Sequence, residues 1–163
     1  MTQFVAAHTS DWWKRATIPG HVTGSAWILN QPRTRALLLH HQKLNRWVQP
    51  GGHLDDTDVT PAAGALREAF EETGLSALAP AGEILFDVDI HSIPARPPRA
   101  GKSISEPAHL HYDARYLIIA ANEHVRISEE SLGARWIPLE ELARPPHERS
   151  IARMAEKSLR LKK

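Results

Sequence analysis

Apolar positions along the chain switch between a period of two and a period near 3.6, and each switch marks an element. Residues 21–29, HVTGSAWIL, carry β-branched and aromatic side chains and read as a strand. NQPRT (30–34) is a turn and RALLLHH (35–41) a second strand, so the two predict a hairpin. RWVQPGG (46–52) predicts a short strand halted by Pro50-Gly51-Gly52. Further strands are expected over 82–93 and 108–121, and RWIPLEEL (135–142) reads as a strand running into a short helix.

The helical stretches carry their own punctuation. TSDWWKRA (9–16) predicts a short helix with Ser10 or Asp11 as N-cap, ended by Pro19-Gly20. A helix over 61–73 has Thr60 as N-cap, Pro61 at its first position and Gly74 suited to the left-handed position after the last turn. Gly64 inside it suggests a close backbone approach. A C-terminal helix is expected over about 147–161, with Ile151, Met154 and Leu159 on one side. The Pro-rich stretch 94–107, with Arg96, Arg99 and Lys102, reads as a loop. Strands and helices mix without strict βαβ alternation, which predicts an α+β or α/β/α sandwich: a mixed β-sheet flanked by helices.

Composition narrows the function classes. A chain of 163 residues makes about one domain, 1–163. Its net charge of +1 gives no reason to expect a nucleic-acid or membrane partner. The absence of cysteine excludes disulfides, thiolate zinc sites and a cysteine nucleophile. The N-terminus has no signal-peptide core, and the apolar run YLIIAA (116–121) is far too short to span a bilayer, so a soluble cytoplasmic protein is expected.

Charge is unevenly spread. Between Gly51 and Leu75 there are six acids (Asp55, Asp56, Asp58, Glu68, Glu71, Glu72) and one base, Arg67. On a helical wheel Glu68 and Glu72 coincide, roughly opposite Leu66 and Phe70. Like charges at this spacing repel, and the lysines that usually relieve such a face are missing. A solvated face is one reading. The other is a hard oxygen site, carboxylates plus a Gly-Gly carbonyl, for Mg²⁺ or Mn²⁺ shared with substrate phosphates.

The run GGHLDDTDVTPAAGALREAFEETGL (51–75) resembles the signature of the Nudix hydrolase (MutT-like) family: G, five residues, E, seven residues, R-E-U-x-E-E-x-G-U, with U a bulky aliphatic. Gly52, Arg67, Glu68, Glu71, Glu72, Gly74 and Leu75 match it, and the likeness extends over about 20–145. The sequence departs in placing fourteen residues between Gly52 and Arg67 instead of thirteen, in Asp58 at the first acidic position, and in Ala69 after Arg-Glu. The resemblance implies a divalent-metal-dependent pyrophosphohydrolase acting on a nucleoside diphosphate linked to another moiety, often as a homodimer. It implies Glu68, Glu71, Glu72 and the Gly51 carbonyl as metal ligands. Glu71 is implied as a ligand or as the base that positions the attacking water, Glu72 counts as catalytic through the metal it holds, Arg67 orients a glutamate, and Glu130 supplies a further late carboxylate. Rival readings are a non-catalytic nucleotide sensor, a diphosphate isomerase (whose common form wants a cysteine), and a metal-buffering protein.

Ten histidines remain. His109, His111 and Asp113 share one face of a strand and are candidates for substrate contact, a second metal site or polar packing. His53, after the Gly-Gly pair, is a candidate substrate contact, and Trp47 a candidate base-stacking platform. Trp27 and Trp136 are expected in the core.

Overall fold

A computed structural model describes residues 1–82, 84–97 and 106–161. The expected basic loop falls partly outside this range: Arg99 and Lys102 are not among the described residues. Eight strands form one mixed sheet: β1 (Gly20–Asn30), β2 (Arg35–His41), β3 (Arg46–Val48), β4 (Gly51–His53), β5 (Leu78–Pro80), β6 (Asp87–Ile93), β7 (His109–Ala120) and β8 (Ser131–Pro138). The central pair, β1 and β7, runs parallel, with Gly20 opposite Leu110 through Asn30 opposite Ala120. The other pairings are antiparallel.

The period of two sorts side chains between two helical layers. Val22, Ala26 and Ile28 of β1, with Tyr112, Ala114, Tyr116 and Ile118 of β7, pack toward α2 (Pro61–Thr73) and α1 (Thr2–Ala7). Trp27, Leu29 and Leu117 point the other way, toward α3 (Leu139–Leu142) and α4 (Arg149–Arg160). The result is the expected α/β/α sandwich. Trp27 is fully buried and its indole N–H donates to Ser158 Oγ at 2.9 Å. No helix among the described residues is long and apolar enough to cross a membrane.

Four local expectations are corrected. Residues 9–16 do not form a helix; α1 lies earlier. The Trp12 carbonyl accepts the Val22 N–H, and the Asp11 carbonyl accepts the Lys14 N–H and the Thr17 hydroxyl, so the acceptors a helix would need are taken. Gly51-Gly52 does not end a strand but forms one, paired with Ser25 and Gly24 of β1. The strand expected from residue 82 begins only at Asp87, because Ile84 and Leu85 project outward. The fourth correction concerns α2. Its ends are as expected: Thr60 Oγ1 accepts the Ala63 N–H at 3.1 Å, and Gly74 has φ 63°. Its buried face, however, is Gly64, Ala65, Ala69 and Thr73, whereas Phe70 is 54% exposed. Glu68 and Glu72 border this face instead of opposing it.

The reason is backbone proximity. A Cβ on Gly24 would stand 2.7 Å from the Pro61 carbonyl oxygen and 3.1 Å from the Ala65 nitrogen, so only small residues fit between α2 and β1. Gly24→Ala is therefore expected to push the helix off the sheet and cost about 1–3 kcal/mol, as overpacking does. Urea unfolding measures this; an unchanged midpoint would mean the helix yields freely.

Candidate active site

The acidic face of α2 closes on β4. The Gly51 N–H donates to Glu72 Oε2 at 3.1 Å. A Cβ on Gly52 would lie 2.5 Å from Glu68 Oε1, so the missing side chain is what lets the Glu68 carboxylate lie against the strand. Arg67 sits at the hub. Its guanidinium donates to Asp58 at 2.9 and 3.2 Å, to Glu68 Oε1 at 3.1 Å, to Glu71 Oε2 at 3.0 Å and to the His53 carbonyl at 3.0 Å. One cation thus joins three carboxylates to the strand that carries the glycines.

Asp58, at the signature's first acidic position, belongs to the same network. Asp58 is nearly buried, with its side chain 6% exposed. It accepts from Arg67 and also from the Asp55 N–H at 2.8 Å, and these bonds hold its carboxyl below the usual range. A Cβ on Gly64 would come within 2.9 Å of Asp58 Oδ2, which accounts for the glycine.

Burial acts in the opposite direction on Glu68 and Glu72. Desolvation, opposed by Arg67, raises Glu68. Desolvation raises Glu72 to about 7, with the charges of Glu68, Glu130 and Glu71 adding to the effect and the Gly51 N–H opposing it. A half-buried pair of carboxylates served by one guanidinium, which reaches Glu68 and not Glu72, is a donor set a hard divalent cation fits. Glu130 lies close enough to bear on Glu72. Its loop is tied to the end of α2 by Ser128 N–H to the Glu72 carbonyl (3.2 Å) and Arg126 N–H to the Thr73 carbonyl (2.7 Å). Its exposed carboxylate faces Lys43 at 3.6 Å. Trp47 is half-buried, stacked on His40 at 5.0 Å with the Arg135 guanidinium 4.8 Å from its ring centre.

Behind β4 the histidines gather. His53 lies 5.1 Å from both His21 and His111, ring centre to ring centre, and His21 lies 5.0 Å from His109. His109 is enclosed, its side chain 2% exposed, so it presents no surface for the substrate contact expected of it. Asp113 does not join the rings. It accepts from Thr23 (3.1 Å), Ser25 (2.7 Å), Gln49 (3.3 Å) and Arg115 (2.7 Å), and so ties β7 to β1. Sequence reasoning missed His21, Arg115 and Gln49. His21 could be found only by knowing that it stands opposite His111 across a parallel pair.

Burial holds these rings neutral: His21 and His53 fall to about 4 and His111 to about 2, desolvation being the largest cause. Unfolded imidazoles take a proton near 6.5, so below that pH the unfolded chain binds more protons and stability is lost as pH falls toward 4. Each ring costs about 1.4 kcal/mol per pH unit in that window. The raised Glu72 and Glu68 act oppositely, but three rings outweigh two carboxylates. In EDTA the melting temperature is expected to fall steeply from pH 6.5 to 5. A flat or rising curve would mean the rings are not held neutral.

The model of the NUDIX domain matches residues 20–157. No curated protein matches. Among solved structures, a C. elegans Ap4A hydrolase superposes with a TM-score of 0.60 at 17% identity, covering 86% of this chain and 96% of that one. The NUDIX domain of Shewanella oneidensis NrtR, complexed with ADP-ribose, gives 0.59 at 16% identity over 97% and 98%. A MutT NUDIX hydrolase from Burkholderia pseudomallei gives 0.58 at 22% identity over 83% and 95%. A domain match over most of the chain, with the signature helix folded onto its Gly-Gly strand, means that the chain belongs to the NUDIX hydrolase family.

Proposed function

We propose that the chain is a divalent-cation-dependent pyrophosphohydrolase that cleaves a diphosphate linkage in a nucleoside diphosphate joined to another moiety. The observation that carries this is the half-buried Glu68–Glu72 pair against Gly51-Gly52, with the Glu72 proton affinity raised to about 7. Support also comes from two similar folds, one an Ap4A hydrolase and one complexed with ADP-ribose.

Glu68, Glu71, Glu72 and the Gly51 carbonyl would hold Mg²⁺ or Mn²⁺. When bound, such a cation neutralises phosphate charge, aligns the reacting groups and acidifies the attacking water. The protein's own groups do the rest. Arg67 fixes the Glu68 and Glu71 carboxylates through charge-assisted bonds, so neither swings out into solvent. Glu72 keeps Oε2 on the Gly51 N–H, which aims its Oε1 outward as a ligand or as a hydrogen-bond acceptor for water. Glu130 adds a further carboxylate from its loop. Trp47, stacked on His40 and capped by Arg135, would take a base only by displacing one of them.

The test is phosphate release from a panel of nucleoside diphosphate sugars, dinucleoside polyphosphates and nucleoside triphosphates, with Mg²⁺ and then Mn²⁺, coupled to alkaline phosphatase. Turnover of a nucleoside diphosphate derivative, abolished by EDTA, is expected. Tight Mg²⁺-dependent nucleotide binding with no product would instead mark a sensor module.

A further inference from the structure

We propose that His21, His109 and His111, with His53 as the fourth donor, form a second metal site, for Zn²⁺ or a cation of its class, on the far side of β4 from the glutamates.

The rings converge from neighbouring strands. His21 stands opposite His111 in the β1–β7 register, and His109 lies two residues along on the same face. One ring nitrogen from each of these three lies within 4.8 Å of the others. His53, on β4, packs beside the group, its ring centre 5.1 Å from those of His21 and His111, and would complete the set by turning Nε2 toward it. His21 is 0% exposed, and neither of its ring nitrogens has a hydrogen-bond partner; His53 Nε2 is likewise buried without one. Buried polar atoms are paired in the great majority of cases, so these orphans need a partner, and one ion would take one nitrogen of His21 and that of His53. Imidazole nitrogens without an alternative donor are the ligands of zinc-class ions, whereas Mg²⁺ takes oxygen.

The tautomers agree. His109 Nδ1 lies 2.9 Å from the Pro107 carbonyl, which can only accept, so the proton sits on Nδ1 and the Nε2 lone pair faces inward. A carbonyl on the outer nitrogen is the usual support of a metal-bound histidine. His109 Nε2 and His111 Nε2 are 3.2 Å apart. Two nitrogens on a tetrahedral zinc stand about 3.3 Å apart, given Zn–N distances near 2.0–2.1 Å. Glu106 Oε1, 3.9 Å from His109 Nε2, is an alternative fourth donor.

The two sites differ in kind. Four imidazoles leave no open position, which is the form of a structural site. Its effect would be on β4: His53 ties that strand to the histidine pocket, while the His53 carbonyl takes the Arg67 guanidinium on the opposite side.

The experiment uses the full chain, stripped with EDTA and titrated with Zn²⁺ in a Glu68→Gln/Glu72→Gln background, so that the carboxylates do not compete. One equivalent retained through dialysis, with a higher melting temperature, is expected; His111→Gln should weaken retention by roughly 10-fold or more. No retention, or retention that His111→Gln leaves unchanged, overturns the proposal. A measurement without histidine variants guards against misfolding. On adding Zn²⁺, the ring nitrogen NMR signals of His21, His109 and His111 should move while those of His8, His124 and His147 stay; the reverse pattern overturns the site as surely.

Discussion

Glu72→Gln is expected to lower turnover by about 10²–10⁴-fold, the range for loss of a positioned proton-transfer group, and to leave the fold intact. The two halves of this result have separate causes. Glutamine keeps a side-chain carbonyl for the Gly51 N–H, so the link between α2 and β4 survives. What it loses is the negative charge and the proton site. That charge is held at a cost without metal, since burial and the nearby Glu68, Glu130 and Glu71 raise its affinity to about 7. Metal-free Glu72→Gln should therefore melt at the same temperature as the parent or higher at pH 8, where the parent carboxylate is ionised. The parent's advantage should return on adding Mg²⁺, which binds only the parent well. Glu140→Gln, an exposed acid on α3, is the control and should change neither property. Full activity in Glu72→Gln, or an unfolded protein, would remove Glu72 from the site as described.

This site was legible because its chemistry is local in sequence. Thr60, Pro61 and Gly74 bound the helix, and the Arg67–Glu72 run lies within it, so spacing alone brings those side chains together. The Gly-Gly pair was legible as a close approach but not as a strand. Its pairing with Ser25 and Gly24 depends on a partner some 26 residues earlier, with no side chains of its own to show the alternation. The buried face of α2 was misread for a related reason. Leu66 does pack at the edge of the core, but Phe70 stays exposed, since Gly24 on β1 brings the helix backbone too close for large side chains on the face that meets it. The histidine pocket and the Asp113 hub were least legible, since both join β1 to β7 across about 90 residues. The pattern His109, His111, Asp113 is visible in the sequence, but the residues that answer it, His21, Thr23 and Ser25, sit in a strand that reads as ordinary core.

Arg115→Met is expected to cost about 3–5 kcal/mol, the range for removing one partner of a buried ion pair. Its side chain is 4% exposed, its Nε lies 2.7 Å from Asp113 Oδ2, and Asp89 and Asp87 stand at 3.5 and 3.8 Å. Asp87 would stay compensated by Arg153, at 2.6 Å, and by Lys157. Asp113, 4% exposed, would not. For a chain of this size the loss corresponds to a melting-temperature drop of roughly 6–20 °C. Adding Asp113→Asn should recover part of it, because the amide oxygen still accepts from Thr23 and Ser25 while the unpaired charge is gone. Arg46→Met is the contrast. Arg46 meets Glu148 at a similar distance, 2.8 Å, but both ends are exposed, so its loss should cost less than about 1 kcal/mol. Catalysis should feel the first change and not the second. Thr23 and Ser25, which Asp113 holds, stand opposite His53 and Gly51 in the sheet. Loosening Asp113 thus loosens the strand on which Glu68 and Glu72 close. Equal, small losses for Arg115→Met and Arg46→Met would mean that burial does not set the strength of this network, and that the sheet beneath the glutamates is held by its backbone alone.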